Sequence, residues 1–175
     1  MVSNPFMGVF LAVLCSAASA AIADEPCVDF KWDVTQERAL FAGPAEPLPA
    51  GSEAKSAPAM RLNHLYQIKL LPQDQVVLAA APGKAPPASA KAGILTFKLA
   101  ASGSYRVALD MPVWVDIVAN GSLVRAKDFQ GQHACVAPHK ILEFDLIGSR
   151  PFFLQLSGAA DSVNLTITAA PARKR

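Results

Sequence analysis

The sequence predicts an all-β fold, an antiparallel β-sandwich or jelly roll of about eight or nine strands. The first observation is alternation: in most segments after residue 60, apolar and polar residues follow each other with a period of two. The second is the spacing of turn-forming residues: Pro112, Asn120-Gly121 and Gly148-Ser149 separate these segments at short intervals. Strands with one apolar and one polar face are typical of antiparallel sheets, and no segment has a convincing helical pattern.

The first half of the chain predicts short strands between long loops. Segment 35–41 is interpreted as a strand, with a short helical turn as the alternative; further strands are predicted at 64–70, 75–80 and 94–99. Segment 42–59 contains four prolines and two glycines, so we expect a loop there, and a second loop at 81–93.

The second half carries the clearest strands. They are predicted at 105–109, 113–119, 122–124, 140–146, 152–156 and 163–167. Asn120-Gly121 favours a tight hairpin turn with positive φ angles, whereas 128–134 predicts a polar loop. By alternation, Arg106, Asp116 and Glu143 should face away from the core.

The first 23 residues are typical of an export signal. An apolar run from Phe6 to Ala18 precedes Ala21-Ile22-Ala23, a cleavage pattern, with Ala20 as the second possible cleavage point. About 13 apolar residues are too few to span a bilayer comfortably, so no stable membrane insertion is expected after cleavage. The predicted organisation is a signal peptide at 1–23, a β-sandwich domain at 24–170 and a basic tail at 171–175, in a periplasmic or secreted protein.

Cleavage would remove Cys15 and leave two cysteines, Cys27 and Cys135. In an oxidising compartment two such cysteines most often form one disulfide, which we expect here.

Charge disfavours nucleic-acid binding. The formal net charge is +2, and Arg173, Lys174 and Arg175 alone contribute three positive charges, so the body of the chain has no basic stripe.

A binding surface is predicted around Trp114. This residue should lie on the polar face of its strand beside Asp116, and an exposed tryptophan next to a carboxylate is a plausible platform for a ligand. Arg106, also expected to face outward, completes the candidate set. The alternative is that Trp114 packs under one of the two loops.

A metal site is the second candidate. His133, His139 and Glu143 lie close in sequence, and His64 could approach from another strand. Two histidines and a carboxylate can bind non-haem iron, and imidazole also suits zinc. The alternative is that these histidines form hydrogen bonds with the backbone. The leading expectation is that no cofactor is bound.

The segments 103–107, 114–118 and 154–158, with the letters GSYRV, WVDIV and LQLSG, resemble bacterial pre-peptidase C-terminal-type domains. The chain is also similar to short exported proteobacterial β-sandwich proteins, some of which carry the name homogentisate 1,2-dioxygenase. The first resemblance implies a small secreted β-sandwich, and the second implies iron bound by two histidines and a glutamate.

The functional prediction is an exported, non-catalytic binding or accessory module for a small ligand, a glycan or a protein. The serines do not occur in a G-x-S-x-G motif and there is no glycine-rich phosphate loop, so neither hydrolysis nor nucleotide chemistry is indicated. A metal-dependent enzyme, such as a dioxygenase-like protein, is the alternative.

Overall fold

The computed structural model describes Met1 and residues 30–132, 135, 137–148 and 150–171. Within these residues the chain forms one α-helix, α1 (Thr35–Phe41), and two short 3-10 turns at Ala54–Ser56 and Gln73–Gln75. It also forms the strands β1 (Glu46–Pro49), β2 (Ala59–Met60), β3 (Tyr66–Lys69), β4 (Leu71–Pro72), β5 (Lys91–Phe97), β6 (Gly103–Leu109), β7 (Trp114–Ala119), β8 (Ser122–Val124), β9 (Asp128–Gly131), β10 (Lys140–Leu146), β11 (Phe152–Gly158) and β12 (Ser162–Ala169).

The strands form two sheets, which confirms the predicted all-β class. Sheet A has the order β1-β3-β12-β6-β10-β9, and sheet B has the order β2-β5-β11-β7-β8, with β4 also paired to β5. Most pairs are antiparallel, but β1–β3 and β2–β5 are parallel, so both sheets are mixed. The prediction of a purely antiparallel sandwich is therefore wrong at these two edges.

The core lies between the two sheets. It is built from the alternate residues of both, including Ile68, Val107 and Leu165 of sheet A and Ile117 and Leu154 of sheet B, all fully buried. The predicted inward faces of 105–109, 113–119, 142–146 and 163–167 are confirmed.

The outer face of sheet A is covered by the segment 30–41. Trp32 packs over the guanidinium of Arg106 at 5.1 Å, and Val34 joins Ala108 and Ile141 in a second apolar cluster. Segment 35–41 is a helix and not the predicted strand, because this conformation turns Glu37 onto the sheet, where it is 1% exposed and accepts a hydrogen bond from Thr168 Oγ1.

The outer face of sheet B is covered by irregular chain. Val76 and Leu78 pack on Ala92, Ile94 and Phe153 in a third apolar cluster. The predicted strand at 75–80 is therefore wrong: its apolar residues cover a sheet face, and they contribute only an isolated bridge between Val77 and Glu53.

Three predicted loops contain strand residues, since β5 already begins at Lys91, inside the loop predicted at 81–93. Segment 42–59 includes β1, whose prolines are accommodated because β1 is an edge strand: the N–H groups of Glu46 and Ala50 donate toward β3, and Pro47 and Pro49 face the open side. Segment 128–134 includes β9, which pairs with β10.

The hairpin at Asn120-Gly121 is confirmed. Their φ angles are 51° and 77°, as a two-residue turn between antiparallel strands requires, and the turn joins β7 to β8.

Several predicted features lie outside the described residues: the signal peptide beyond Met1, the basic residues 173–175, Cys27 and His133. In the portion of the chain that is described, none of the helices has the length and apolar character needed to cross a membrane.

Candidate binding cleft

A cleft opens at one side of the sandwich because the chain leaves sheet B early. Strand β8 pairs with β7 only from Ile117 to Ala119, after which residues 125–127 cross over and begin β9 in sheet A. Within the described residues, the first half of β7 therefore has its partner β11 on one side and no strand on the other. We call the resulting space, between β7–β8 and β9–β10, the edge cleft.

The edge cleft has an apolar floor and a volume of about 590 Å³. Val115, Leu142 and Phe144 of the core form its inner wall. A volume of this order lies within the range of about 300–1,000 Å³ found for small-molecule sites.

Phe129 is the clearest sign that the cleft exposes core surface. It pairs directly with Leu142, so it lies on the inner face of sheet A. A phenylalanine in that position is normally buried, yet 66% of Phe129 is exposed. Leu123, also on the cleft, is 39% exposed.

Trp114 and Asp116 stand together at the mouth of the cleft, as the sequence predicts. The indole Nε1 donates to Asp116 Oδ1 at 2.9 Å, and Gly83 N and Gln155 Nε2 donate to Asp116 Oδ2 at 3.0 and 3.3 Å. Trp114 is 36% exposed, whereas Asp116 is 8% exposed. The prediction that Asp116 faces water is wrong, because the loop at Gly83 covers it.

Gly83 permits this close approach. A Cβ at this position would lie 2.9 Å from Asp116 Oδ1 and 3.6 Å from the Trp114 ring. The loop therefore packs beside Trp114 without burying it, so part of the indole stays available to a ligand.

Two lysines flank the indole. The Nζ atoms of Lys84 and Lys140 lie 5.8 and 5.7 Å from the ring centroid of Trp114, and Lys140 Nζ also donates to Val113 O at 3.3 Å. Burial, and to a smaller extent the charge of Lys84, lowers the pKa of Lys140 below its ordinary value.

The structure does not bring Arg106 to this site. Arg106 is 4% exposed and lies on the outer face of sheet A, where its Nε donates to Glu143 Oε2 at 3.2 Å and its Nη1 to Asp33 O at 2.7 Å. Trp114 and Asp116 are on the outer face of sheet B. The prediction that Arg106 faces water beside them is therefore wrong.

The described members of the candidate metal set are also apart. Glu143 is 2% exposed and ion-paired with Arg106, and His64 Nε2 lies 2.7 Å from Glu46 Oε2. His64 and His139 precede β3 and β10, which are three strand positions apart, or about 14 Å across the sheet. The described residues contain no group of three potential ligands from His, Cys, Asp and Glu. His133 lies outside them, so a metal site involving it stays a prediction.

Sequence reasoning missed Phe129, Lys140 and Lys84. Phe129 is the one aromatic residue in a stretch of polar residues, and such an isolated aromatic is the signal that could have directed attention to it. The two lysines gave no signal, because they are distant in sequence and are brought together only by the packing of a loop against β7.

Neither a scan against protein-family models nor a search of curated proteins finds a match to this chain.

Proposed function

We propose that this chain is an exported, non-catalytic binding module that takes a small, largely apolar ligand into the edge cleft. The observation that carries the proposal is Phe129, a residue of the inner face that is 66% exposed because, in the described part of the chain, sheet B has no strand opposite it. Covering such a surface with a ligand is favourable, since the burial of a phenylalanine side chain is worth about 1.5–3 kcal/mol.

The polar groups at the mouth support a binding role over a catalytic one. The Asp116 carboxylate accepts three hydrogen bonds, of which the one from Gly83 N holds the loop to the sheet, and Asp128 is ion-paired with Lys31. Both carboxylates thus stabilise the walls of the cleft. The resemblance to pre-peptidase C-terminal-type domains, which implies a small secreted β-sandwich, fits the same proposal.

The neutral, environment-sensitive dye N-phenyl-1-naphthylamine tests the cleft directly. We expect the mature protein to increase its fluorescence saturably. Phe129→Ala should weaken binding about tenfold, because it removes an apolar side chain that is 66% exposed at the cleft. Ala126→Trp, which fills the cleft, should abolish binding, whereas Ala88→Trp on an exposed loop should not.

No dye binding by the wild-type protein would overturn the proposal. Equal binding by the wild type, Phe129→Ala and Ala126→Trp would show that the dye binds elsewhere. Circular dichroism and thermal unfolding of each variant establish that it is folded.

The export and disulfide proposals support each other. Lys31 N donates to Gln130 Oε1 at 2.8 Å, which holds residue 31 beside β9, and Cys135 follows β9 and is 1% exposed. Cys27 is four residues before Lys31, a reach of about 13–14 Å of extended chain. A Cys27–Cys135 disulfide is therefore within reach, as an oxidising compartment favours.

A further inference from the structure

We propose that the ligand is a small amphipathic carboxylate, whose apolar chain lies in the edge cleft and whose carboxylate is bound by Lys84 and Lys140 beside Trp114. The inference rests on the proposed function, because it assigns a ligand class to the same cleft.

A second cavity adjoins the edge cleft at the position that a head group would occupy. Its volume is about 270 Å³, and it shares Trp114 and Lys140 with the edge cleft. Its other walls include Lys84, Pro86 and Ser157. A ligand that extends past the indole would therefore pass from an apolar space into one bounded by two ammonium groups.

Within the described part of the chain, the two ammonium groups have no carboxylate partner. Both lie within 6 Å of one indole ring, and neither forms an ion pair with a carboxylate among the residues that the structure describes. Burial, and to a smaller extent the repulsion from Lys84, lowers the pKa of Lys140. A bound carboxylate would relieve this repulsion and accept charge-assisted hydrogen bonds, which are stronger than neutral ones.

Among the described residues, neither of the nearby acidic groups forms an ion pair with Lys84 or Lys140. Asp116 directs its carboxylate toward Gly83 N, Gln155 and the Trp114 indole, and Asp128 is paired with Lys31. Arg125 adds positive charge at the other end of the edge cleft, where Lys127 is ion-paired with Asp145 and Glu143. This balance opposes a cationic head group and favours an anionic one.

The size of the two spaces favours a small ligand over a macromolecule. Their volumes of about 590 and 270 Å³ suit one chain or ring with one head group. We therefore assign a free carboxylate and not an anionic membrane surface.

Displacement of N-phenyl-1-naphthylamine by three probes with the same twelve-carbon chain tests the inference: dodecanoate, 1-dodecanol and dodecyltrimethylammonium, each as monomers. We expect dodecanoate to bind about tenfold more tightly than 1-dodecanol, since a charge-assisted hydrogen bond is worth about 1.5–3 kcal/mol, and dodecyltrimethylammonium to bind most weakly.

Variants assign the effect to the two lysines. Lys84→Gln and Lys140→Gln should each reduce the dodecanoate-to-dodecanol affinity ratio, and the double variant should bring it close to one. Lys98→Gln, an exposed lysine on another edge, is the matched control and should keep the wild-type ratio. Lys84 is itself exposed, so Lys84→Gln is expected to fold.

The outcomes separate the two proposals. Absence of dye binding overturns the proposed function. Dye binding with equal affinities for dodecanoate and 1-dodecanol, or a ratio unaltered by both lysine variants, overturns only the carboxylate assignment. Sedimentation with phosphatidylglycerol vesicles, without binding of monomeric dodecanoate, would overturn it in favour of a membrane surface.

Discussion

The pKa of Lys140 reports on the packing around Trp114 even when no ligand is bound. Its pKa is lowered first by burial and then by Lys84. Lys84→Gln removes the second cause and leaves the first, so we expect the pKa of Lys140 to rise toward its ordinary value of 10.5 without reaching it. NMR titration of the lysine ¹³Cε signals, assigned with Lys140→Gln, measures the change, and Lys98→Gln should leave it unaltered. An identical titration of Lys140 with and without Lys84 would contradict the packing of the 81–87 loop beside Trp114.

The same shift has a defined effect on stability. Because the pKa of Lys140 is lower in the folded chain, the unfolded chain binds more protons between that lowered pKa and 10.5. The free energy of unfolding therefore increases with pH across this window. Below the pKa of Lys140 in the folded chain, the destabilising effect of burying the charged lysine is present in full. Asp116, Arg125, Lys127, Asp128 and Lys84 are the other charged groups around the cleft, and of these Lys84 contributes to the lowered pKa of Lys140.

Burial of single polar residues could not be predicted from the sequence. Alternation correctly assigns Arg106, Asp116 and Glu143 to the faces that point away from the core. It does not indicate that another segment covers each face, because that depends on where distant chain packs. All three residues are more than nine-tenths buried under such segments.

At the scale of elements, helix α1 is attached to sheet A by a buried charged cluster. Arg106 lies between Glu37, at 3.8 Å, and Glu143, at 3.2 Å, and all three side chains are at most 5% exposed. We expect Arg106→Met to lower the free energy of unfolding by about 3–5 kcal/mol, because it removes the buried cation that lies between two buried carboxylates. Urea denaturation measures the loss.

Two variants control this experiment. Arg125→Met removes an exposed arginine and should change the free energy of unfolding by less than about 0.5 kcal/mol. Adding Glu143→Gln to Arg106→Met removes one of the two buried carboxylate charges and should recover part of the loss. If Arg106→Met costs no more than Arg125→Met, the cluster does not hold α1 to the sheet.

The elements that sequence reasoning predicted well are those buried by their own neighbours in the sheet. Strands β6, β7, β10, β11 and β12 alternate cleanly because each has the core on one side. The errors occur where a segment covers a sheet or forms its edge: α1, the run after Gln75, β1 and β9. In these segments the local pattern competes with contacts to distant residues, and the distant contacts decide the conformation.

At the scale of the whole molecule, the cleft arises where the chain crosses from sheet B to sheet A. The sequence predicts Trp114 and Asp116 as a pair, and the structure places them together. It does not predict the cleft beside them, because nothing local to residues 122–129 indicates that β8 ends opposite Ile117 and that β9 joins the other sheet. The cleft therefore results from the order in which the strands join the two sheets.

The proposed Cys27–Cys135 disulfide would close a loop that contains most of the domain. We expect intact mass spectrometry of the exported protein to show no alkylation without reductant and two alkylated thiols after unfolding with reductant. In the chain-entropy approximation, a loop of about one hundred residues contributes at most about 4–5 kcal/mol, so Cys135→Ser should lower the urea midpoint markedly. Two reactive thiols in the unfolded, unreduced mature chain would refute the pairing.

Strand β1 has a consequence for assembly. In a strand, the N–H and C=O of one residue point to the same side and successive residues alternate, so the side of β1 away from β3 presents Pro47 and Pro49. Proline has no N–H, so this border of sheet A offers carbonyl acceptors but no donors at these two positions. A strand from a second copy could not form a complete hydrogen-bond ladder there. The two prolines thereby protect this exposed sheet edge from edge-to-edge aggregation.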